Sequence, residues 1–244
     1  AGAKILVADD DDGVRAGLAA NLEVEGYQVV EAVDGGQALA LIREQRFDLV
    51  ISDVVMPVAN GVEVLEYLKL ESPETPLVLI SAFVSETMVS RAVSRGLYTM
   101  LYKPVGMGDV LRIVDRALAR RALLIVDDAE PYLASLSAAL RSVGMLVEAA
   151  ADGPSALAYA GQNRVDVCIL DLVMSAPDGV ETCQALRSID RDMDIIAITG
   201  SSDPELVRRI TRHGVAACLR KPFEINDLLS AIVKARGASS GRTT

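Results

Sequence analysis

The residues best able to do chemistry in this 244-residue sequence are carboxylates, a hydroxyl and an ammonium that recur in a fixed pattern. Asp9 and Asp10 close the apolar run KILVA, Asp53 closes DLVIS, Ser81 closes LVLI, and Lys103 stands before Pro104. The same set returns as Asp127 and Asp128, Asp171, Thr199, and Lys221 before Pro222. From Asp10 to Asp53 is 43 residues, from Asp53 to Ser81 is 28 and from Ser81 to Lys103 is 22, and the second set repeats all three intervals. Three carboxylates packed together repel one another unless a cation enters. Oxygen donors without His or thiolate suit a hard divalent ion, Mg²⁺ in a cell. A carboxylate beside such an ion suits phosphoryl transfer, acting as the nucleophile, with Lys and Ser or Thr holding the remaining phosphoryl oxygens. The product would be an aspartyl phosphate.

Which elements would bring these residues together follows from a shift of 118 positions, which lays the sequence on itself without insertion. ILVADD meets LLIVDD, FDLVISDVVM meets VDVCILDLVM, and LYKP meets LRKP. The chain is therefore an internal duplication, expected as one domain over 1–121, a second over 122–238 and a flexible tail over 239–244. The junction has no Gly/Ser/Pro stretch, which argues against independent tumbling. Each copy alternates short apolar runs with helical periodicity. In the first copy strands are expected at Lys4–Ala8, Gln28–Ala32, Phe47–Ser52, Pro76–Ser81 and Thr99–Tyr102. Helices are expected at Val14–Glu25, Gly36–Gln45, Val62–Leu70, Glu86–Arg95 and Asp109–Arg120. Near-continuous apolar strands imply a parallel sheet covered on both faces. The fold class is thus α/β, two flavodoxin-like (βα)5 doubly wound domains in tandem. Such sheets bind ligands beyond the carboxyl ends of their strands, where every one of the recurring polar residues falls.

Composition narrows the function. Formal charge is −10 with no basic tract, which argues against direct nucleic-acid binding. Mean hydropathy is +0.31, yet no run of 18 apolar residues offers a membrane span. The opening AGAKILVADDDD lacks the basic and apolar regions of a secretory signal. Cys168, Cys183 and Cys218 follow neither metal nor disulfide spacing and read as reduced thiols of a cytoplasmic protein. His213 is the single histidine, so a His-based triad or multi-His metal site within this chain is excluded, and its place before Gly214 suits a helix end. Asp11 and Asp12 read as helix-start residues, Met100 and Cys218 as core fillers.

The pattern Asp-Asp, Asp-x-x-Met-Pro-x-x-x-Gly, Ser/Thr, Lys-Pro resembles the receiver domain of two-component response regulators, and the resemblance covers both copies. It implies phosphorylation of Asp53 and Asp171 by a histidine kinase or phosphotransfer protein, the receiver catalysing its own phosphorylation and dephosphorylation rather than acting as an enzyme on other substrates. It further implies that Asp10 and Asp128 bind Mg²⁺ directly, Asp9 and Asp127 mostly through water, and Val55 and Val173 through their carbonyls. Ser81 and Thr199 would be switch hydroxyls, Lys103 and Lys221 phosphoryl contacts, and the Lys–Pro bonds cis. The chain departs from the family at Met100 and Cys218, which stand where an aromatic is usual. It departs again at Ser175, which stands where the first copy has Pro57, and it lacks the acidic pair of symmetric DNA-binding regulators, so their dimer is not expected.

Output is expected through contacts with a downstream protein, since no helix-turn-helix, cyclase, phosphodiesterase or kinase segment follows either copy. A receiver fragment of a larger hybrid kinase or regulator is the alternative. Two further readings are a docking pair of pseudo-receivers, opposed by the intact polar sets, and an Asp-nucleophile phosphatase, opposed by Val55 where those enzymes carry a second Asp.

Overall fold

The computed structural model describes residues 2–119, 121–175 and 178–238. It divides into two compact units, Ala1–Arg120 and Arg121–Thr244. The tail expected over 239–244 lies outside the described residues.

The first unit runs β1 (Lys4–Ala8), α1 (Asp12–Val24), β2 (Gln28–Ala32), α2 (Gly35–Glu44), β3 (Leu49–Asp53), α3 (Gly61–Glu71), β4 (Leu77–Ser81), α4 (Glu86–Ser94), β5 (Thr99–Tyr102) and α5 (Met107–Leu118). The second repeats it as β6 (Ala122–Val126), α6 (Glu130–Ser142), β7 (Val147–Ala150), α7 (Gly153–Gln162), β8 (Val165–Asp171), α8 (Gly179–Ile189), β9 (Asp194–Thr199), α9 (Pro204–Arg212), β10 (Ala217–Arg220) and α10 (Ile225–Gly237). Every strand pairing is parallel, in the order β2-β1-β3-β4-β5 and, for the second sheet, β7-β6-β8-β9-β10. These are two doubly wound flavodoxin-like sheets, with the reversal of strand order across the sheet falling between β1 and β3, and between β6 and β8.

The helices start and stop where local chemistry dictates. Several begin one or two residues earlier than the apolar periodicity indicates, because a capping side chain lies upstream of the first apolar residue. Asp11 accepts from the backbone N–H groups of Gly13 and Val14, which starts α1 at Asp12 and holds the Asp11 carboxyl below its ordinary range. Asn60 and Glu63 form a reciprocal capping box at α3, and Asp178 and Glu181 repeat it at α8. The strand at β3 starts later than expected, at Leu49, and runs on to include Asp53 itself.

Both faces of each sheet are covered. In the first unit Ile5, Val7, Leu49, Ile51 and Val78 pack against Leu18 and Leu22 of α1 and Ile113 and Val114 of α5. In the second, Leu124, Val126, Cys168 and Leu170 meet Ala156 of α7, Cys183 and Leu186 of α8, and Ile210 of α9. Each such buried aliphatic side chain contributes about 1.5–3 kcal/mol, which makes the strand ends rigid supports for what they carry. Met100 is buried as expected, whereas Cys218 is half-buried against the core. All three cysteines are free thiols, and burial pushes each one's pKa up.

Candidate functional site

At the carboxyl edge of the first sheet, four charged side chains converge. Asp9 follows β1, Asp53 ends β3 and Lys103 follows β5, its backbone N–H bonded to the Ser81 carbonyl at 2.9 Å. The Lys103 ammonium lies 3.0 Å from Asp9 Oδ2 and 2.5 Å from Asp53 Oδ2. Burial works against its charge, but the hydrogen bonds of Asp53 and Asp9 outweigh that and hold its pKa above the usual lysine value. Asp9 is almost fully buried, and its Oδ1 accepts from Asp11 N–H at 2.9 Å. Arg15 donates to the Asp9 carbonyl at 2.8 Å while pairing with Asp12 and Glu31, which fixes the turn after β1. Asp53 Oδ1 accepts from Val55 N–H at 3.1 Å, so both its oxygens are oriented.

Asp10 completes the set. It is exposed, and among the described residues no hydrogen bond or ion pair engages its carboxylate. One carboxylate oxygen from each of Asp9, Asp10 and Asp53 lies within 4.8 Å of the others. Among the described residues this is the one such grouping. An all-oxygen donor set of that span, with one carboxylate still free, fits a hard divalent cation of the Mg²⁺ type.

Close approach of backbone makes glycine necessary behind Asp53 and Asp171. A Cβ at Gly61 would lie 2.3 Å from the Asp53 carbonyl oxygen, and one at Gly179 would lie 2.1 Å from that of Asp171. The glycine eight residues after each Asp therefore lets the following helix start against the strand end. The loop between them carries Val58 at φ 68°, a left-handed conformation that a β-branched residue adopts only under strain.

The second pocket repeats the core. Lys221 Nζ lies 2.6 Å from Asp127 Oδ2 and 2.7 Å from Asp171 Oδ2, and Val173 N–H donates to Asp171 Oδ1 at 3.0 Å. Burial pushes the Asp171 carboxyl up, against the opposing pull of Lys221 and the Val173 N–H. Three features differ. Leu133 stands where the first unit has Arg15, so that position has no guanidinium to donate to the Asp127 carbonyl. Tyr132, standing where the first unit has Val14, places its ring 4.3 Å from Lys221 Nζ. The Asp128 carboxylate accepts from both the N–H and the hydroxyl of Ser175, each at 3.1 Å.

The hydroxyls sit at the pocket edges without joining the charge cluster. Buried Ser81 Oγ donates to the Phe83 carbonyl at 3.0 Å, and Thr199 Oγ1 accepts from Ser201 N–H at 3.0 Å. Val55 and Val173 have exposed side chains two residues after Asp53 and Asp171. The two Lys–Pro bonds are cis. His213 is the C-terminal cap of α9, its Nε2 3.1 Å from Gln184 Nε2. Sequence reasoning missed Tyr132, although comparing positions 14 and 132 across the repeat exposes the exchange of an apolar for an aromatic side chain.

Fold and site together define a doubly wound α/β module with a carboxylate and lysine pocket at the carboxyl edge of its sheet, and comparison with known proteins gives its family. The model of the response regulator receiver domain matches residues 5–115 and again 123–233. This chain belongs to the response regulator receiver family, and carries two such domains in tandem. It is 29% identical to a response regulator receiver protein of Anaeromyxobacter sp. (strain Fw109-5), over 94% of this chain and 93% of that one. It is 34% identical to the transcriptional regulatory protein PdtaR of Mycobacterium tuberculosis, over 48% of this chain and 57% of that protein. The match to the transcriptional regulatory protein GlrR of Escherichia coli is 32% identical and spans 27% of that protein. A solved structure described as a two-component response regulator/GGDEF domain protein superposes with a TM-score of 0.61 at 22% identity, covering 96% of this chain and 97% of that one, a likeness of fold. No helix among the described residues is long and apolar enough to cross a membrane.

Proposed function

We propose that this chain accepts phosphoryl groups on Asp53 and Asp171, donated by a histidine kinase or a phosphotransfer protein, and that the modified receivers signal through contacts with a downstream protein. The observation that carries the reading is the Asp53 carboxylate, oriented by Val55 N–H and Lys103 and grouped with Asp9 and Asp10. In the transfer, an Asp53 oxygen attacks phosphorus as the phosphorus–nitrogen bond of a phosphohistidine breaks, its electron pair leaving with the imidazole. Lys103, already seated between Asp9 and Asp53, moves with little rearrangement from the carboxylate to a phosphoryl oxygen. Ser81 exchanges its bond to the Phe83 carbonyl for another phosphoryl oxygen, which would move the loop after β4. Mg²⁺, held by Asp10 and Asp53 with the Val55 carbonyl and by Asp9 through water, would neutralise charge on the transferring group. In the second pocket Asp127, Asp128, Asp171, Val173, Thr199 and Lys221 take the corresponding parts. A reducing, cytoplasmic setting belongs to the same proposal and suits three free thiols.

The test is incubation of the full chain with acetyl phosphate and Mg²⁺, followed by intact-mass and peptide analysis. Acyl phosphate on Asp53 and Asp171, lost in Asp53→Asn and Asp171→Asn, is the expected result. Phosphate on Ser or Thr, or no Mg²⁺-dependent modification, would overturn it.

A further inference from the structure

The two pockets share their charges but differ in what holds the second acid of the pair. In the first unit Met56 is followed by Pro57, which has no N–H to donate, and the Asp10 carboxylate is free among the described residues. In the second unit Ser175 takes that place. Both of its donors, backbone N–H and hydroxyl, point at Asp128 Oδ2 from 3.1 Å, closing a contact between residues 47 apart in sequence. The consequence is visible in the carboxylates themselves. Oxygens of Asp9, Asp10 and Asp53 gather within 4.8 Å, and no corresponding grouping of Asp127, Asp128 and Asp171 occurs among the described residues.

We infer that Ser175 is a latch on Asp128 that competes with a divalent cation, so that the second receiver needs a higher Mg²⁺ concentration than the first to be loaded and phosphorylated. The inference rests on the receiver reading above and adds a gradation between its two sites. A carboxylate can accept several hydrogen bonds, so the latch does not block Asp128 outright. It turns the acid toward the acceptor loop and away from Asp171, and a cation drawing it back must give up charge-assisted bonds that are stronger than neutral ones. Loss of about one such bond at an exposed site corresponds to roughly tenfold in affinity. Ser175 is a positioning residue, because it acts through Asp128 and touches neither acceptor.

Titration of the full chain with Mn²⁺, followed by calorimetry and by the electron paramagnetic resonance of free Mn²⁺, reads the latch directly. Two classes of site separated by about tenfold are expected, the tighter lost in Asp10→Asn and the weaker in Asp128→Asn. Ser175→Ala removes the hydroxyl alone and should tighten the weaker site part of the way. Ser175→Pro removes both donors and should bring it near the first site. The reciprocal change, Pro57→Ser, should weaken the first site, and it keeps the proposal falsifiable where Ser175→Pro fails to fold. Equal affinities in the wild type, or a second site indifferent to Ser175→Ala while Pro57→Ser leaves the first unchanged, would overturn the latch alone. Binding that survives both Asp10→Asn and Asp128→Asn would overturn the receiver reading with it.

Discussion

Replacing Gly61 by Ala should displace Asp53 in its pocket, and the structure sets the size of the effect. The added Cβ would lie 2.3 Å from the Asp53 carbonyl oxygen, 2.8 Å from Leu79 Cδ2 and 3.1 Å from the Asp53 carbonyl carbon. Side chains almost never approach below 3.0 Å, so strand and helix must part by about 0.7 Å merely to reach that limit. The Leu79 methyl can rotate away, but the carbonyl belongs to the residue whose side chain Lys103 holds at 2.5 Å. Overpacking of this kind costs about 1–3 kcal/mol, and backbone contact puts Gly61 in the upper part of that range. At roughly 4 °C per kcal/mol for a unit of this size, thermal unfolding of the first unit should fall by about 8–12 °C. A displacement approaching 1 Å at a reacting group costs up to about a hundredfold in rate, so phosphorylation of Asp53 by acetyl phosphate should slow by tenfold or more. Gly17→Ala is the control, because its Cβ meets nothing within 4 Å on the exposed face of α1. That change should stabilise by about 0.5–1 kcal/mol and leave phosphorylation alone. Gly179→Ala should repeat the Gly61 result at Asp171, where the approach is 2.1 Å. A Gly61→Ala protein matching the wild type in both unfolding and Asp53 phosphorylation would refute the argument.

Three other perturbations have a definite sign. Val58→Gly relieves a β-branched residue at φ 68° and should raise stability by about 1 kcal/mol in chemical denaturation, despite the added freedom of the unfolded chain. Arg236→Ala strips the guanidinium 2.7 Å from buried Asp166 and should destabilise the second unit by about 3 kcal/mol, and a loss below about 1 kcal/mol would show the pair to be dispensable. Burial, with a hydrogen bond to Asp115, pushes the Tyr27 phenol up to about 12. Because the folded state keeps this proton longer than the unfolded chain, stability from Tyr27 is full below pH 10 and is lost as pH rises from about 10 to about 12. Tyr27→Phe should therefore be less stable than the wild type at neutral pH, by about 1 kcal/mol, with the gap narrowing over that alkaline window.

Duplication, strand order and the identity of the charged residues were legible in the primary structure, because they rest on periodicity and fixed spacing. Apolar strands ending in Asp, Ser or Lys can place those residues only at the carboxyl edge of a parallel sheet. The intervals 43, 28 and 22, met twice, leave little freedom in which strands supply them. Helix starts were less legible, since the apolar pattern begins after the cap: Asp11 and Asn60 act through side-chain geometry that periodicity does not report. The departure at Ser175 could be seen in the sequence, but its consequence could not. That the N–H and hydroxyl both reach Asp128, 47 residues earlier, depends on how the loops after β6 and β8 fold toward each other. The same holds for Tyr132 over Lys221 and for the carbonyl approach that makes Gly61 obligatory. Local pattern determined the fold and which polar residues meet at the sheet edge, because burial of alternating elements is a property of each segment. Tertiary packing decided which carboxylates are free and which are held, because those contacts join residues that the sequence keeps far apart.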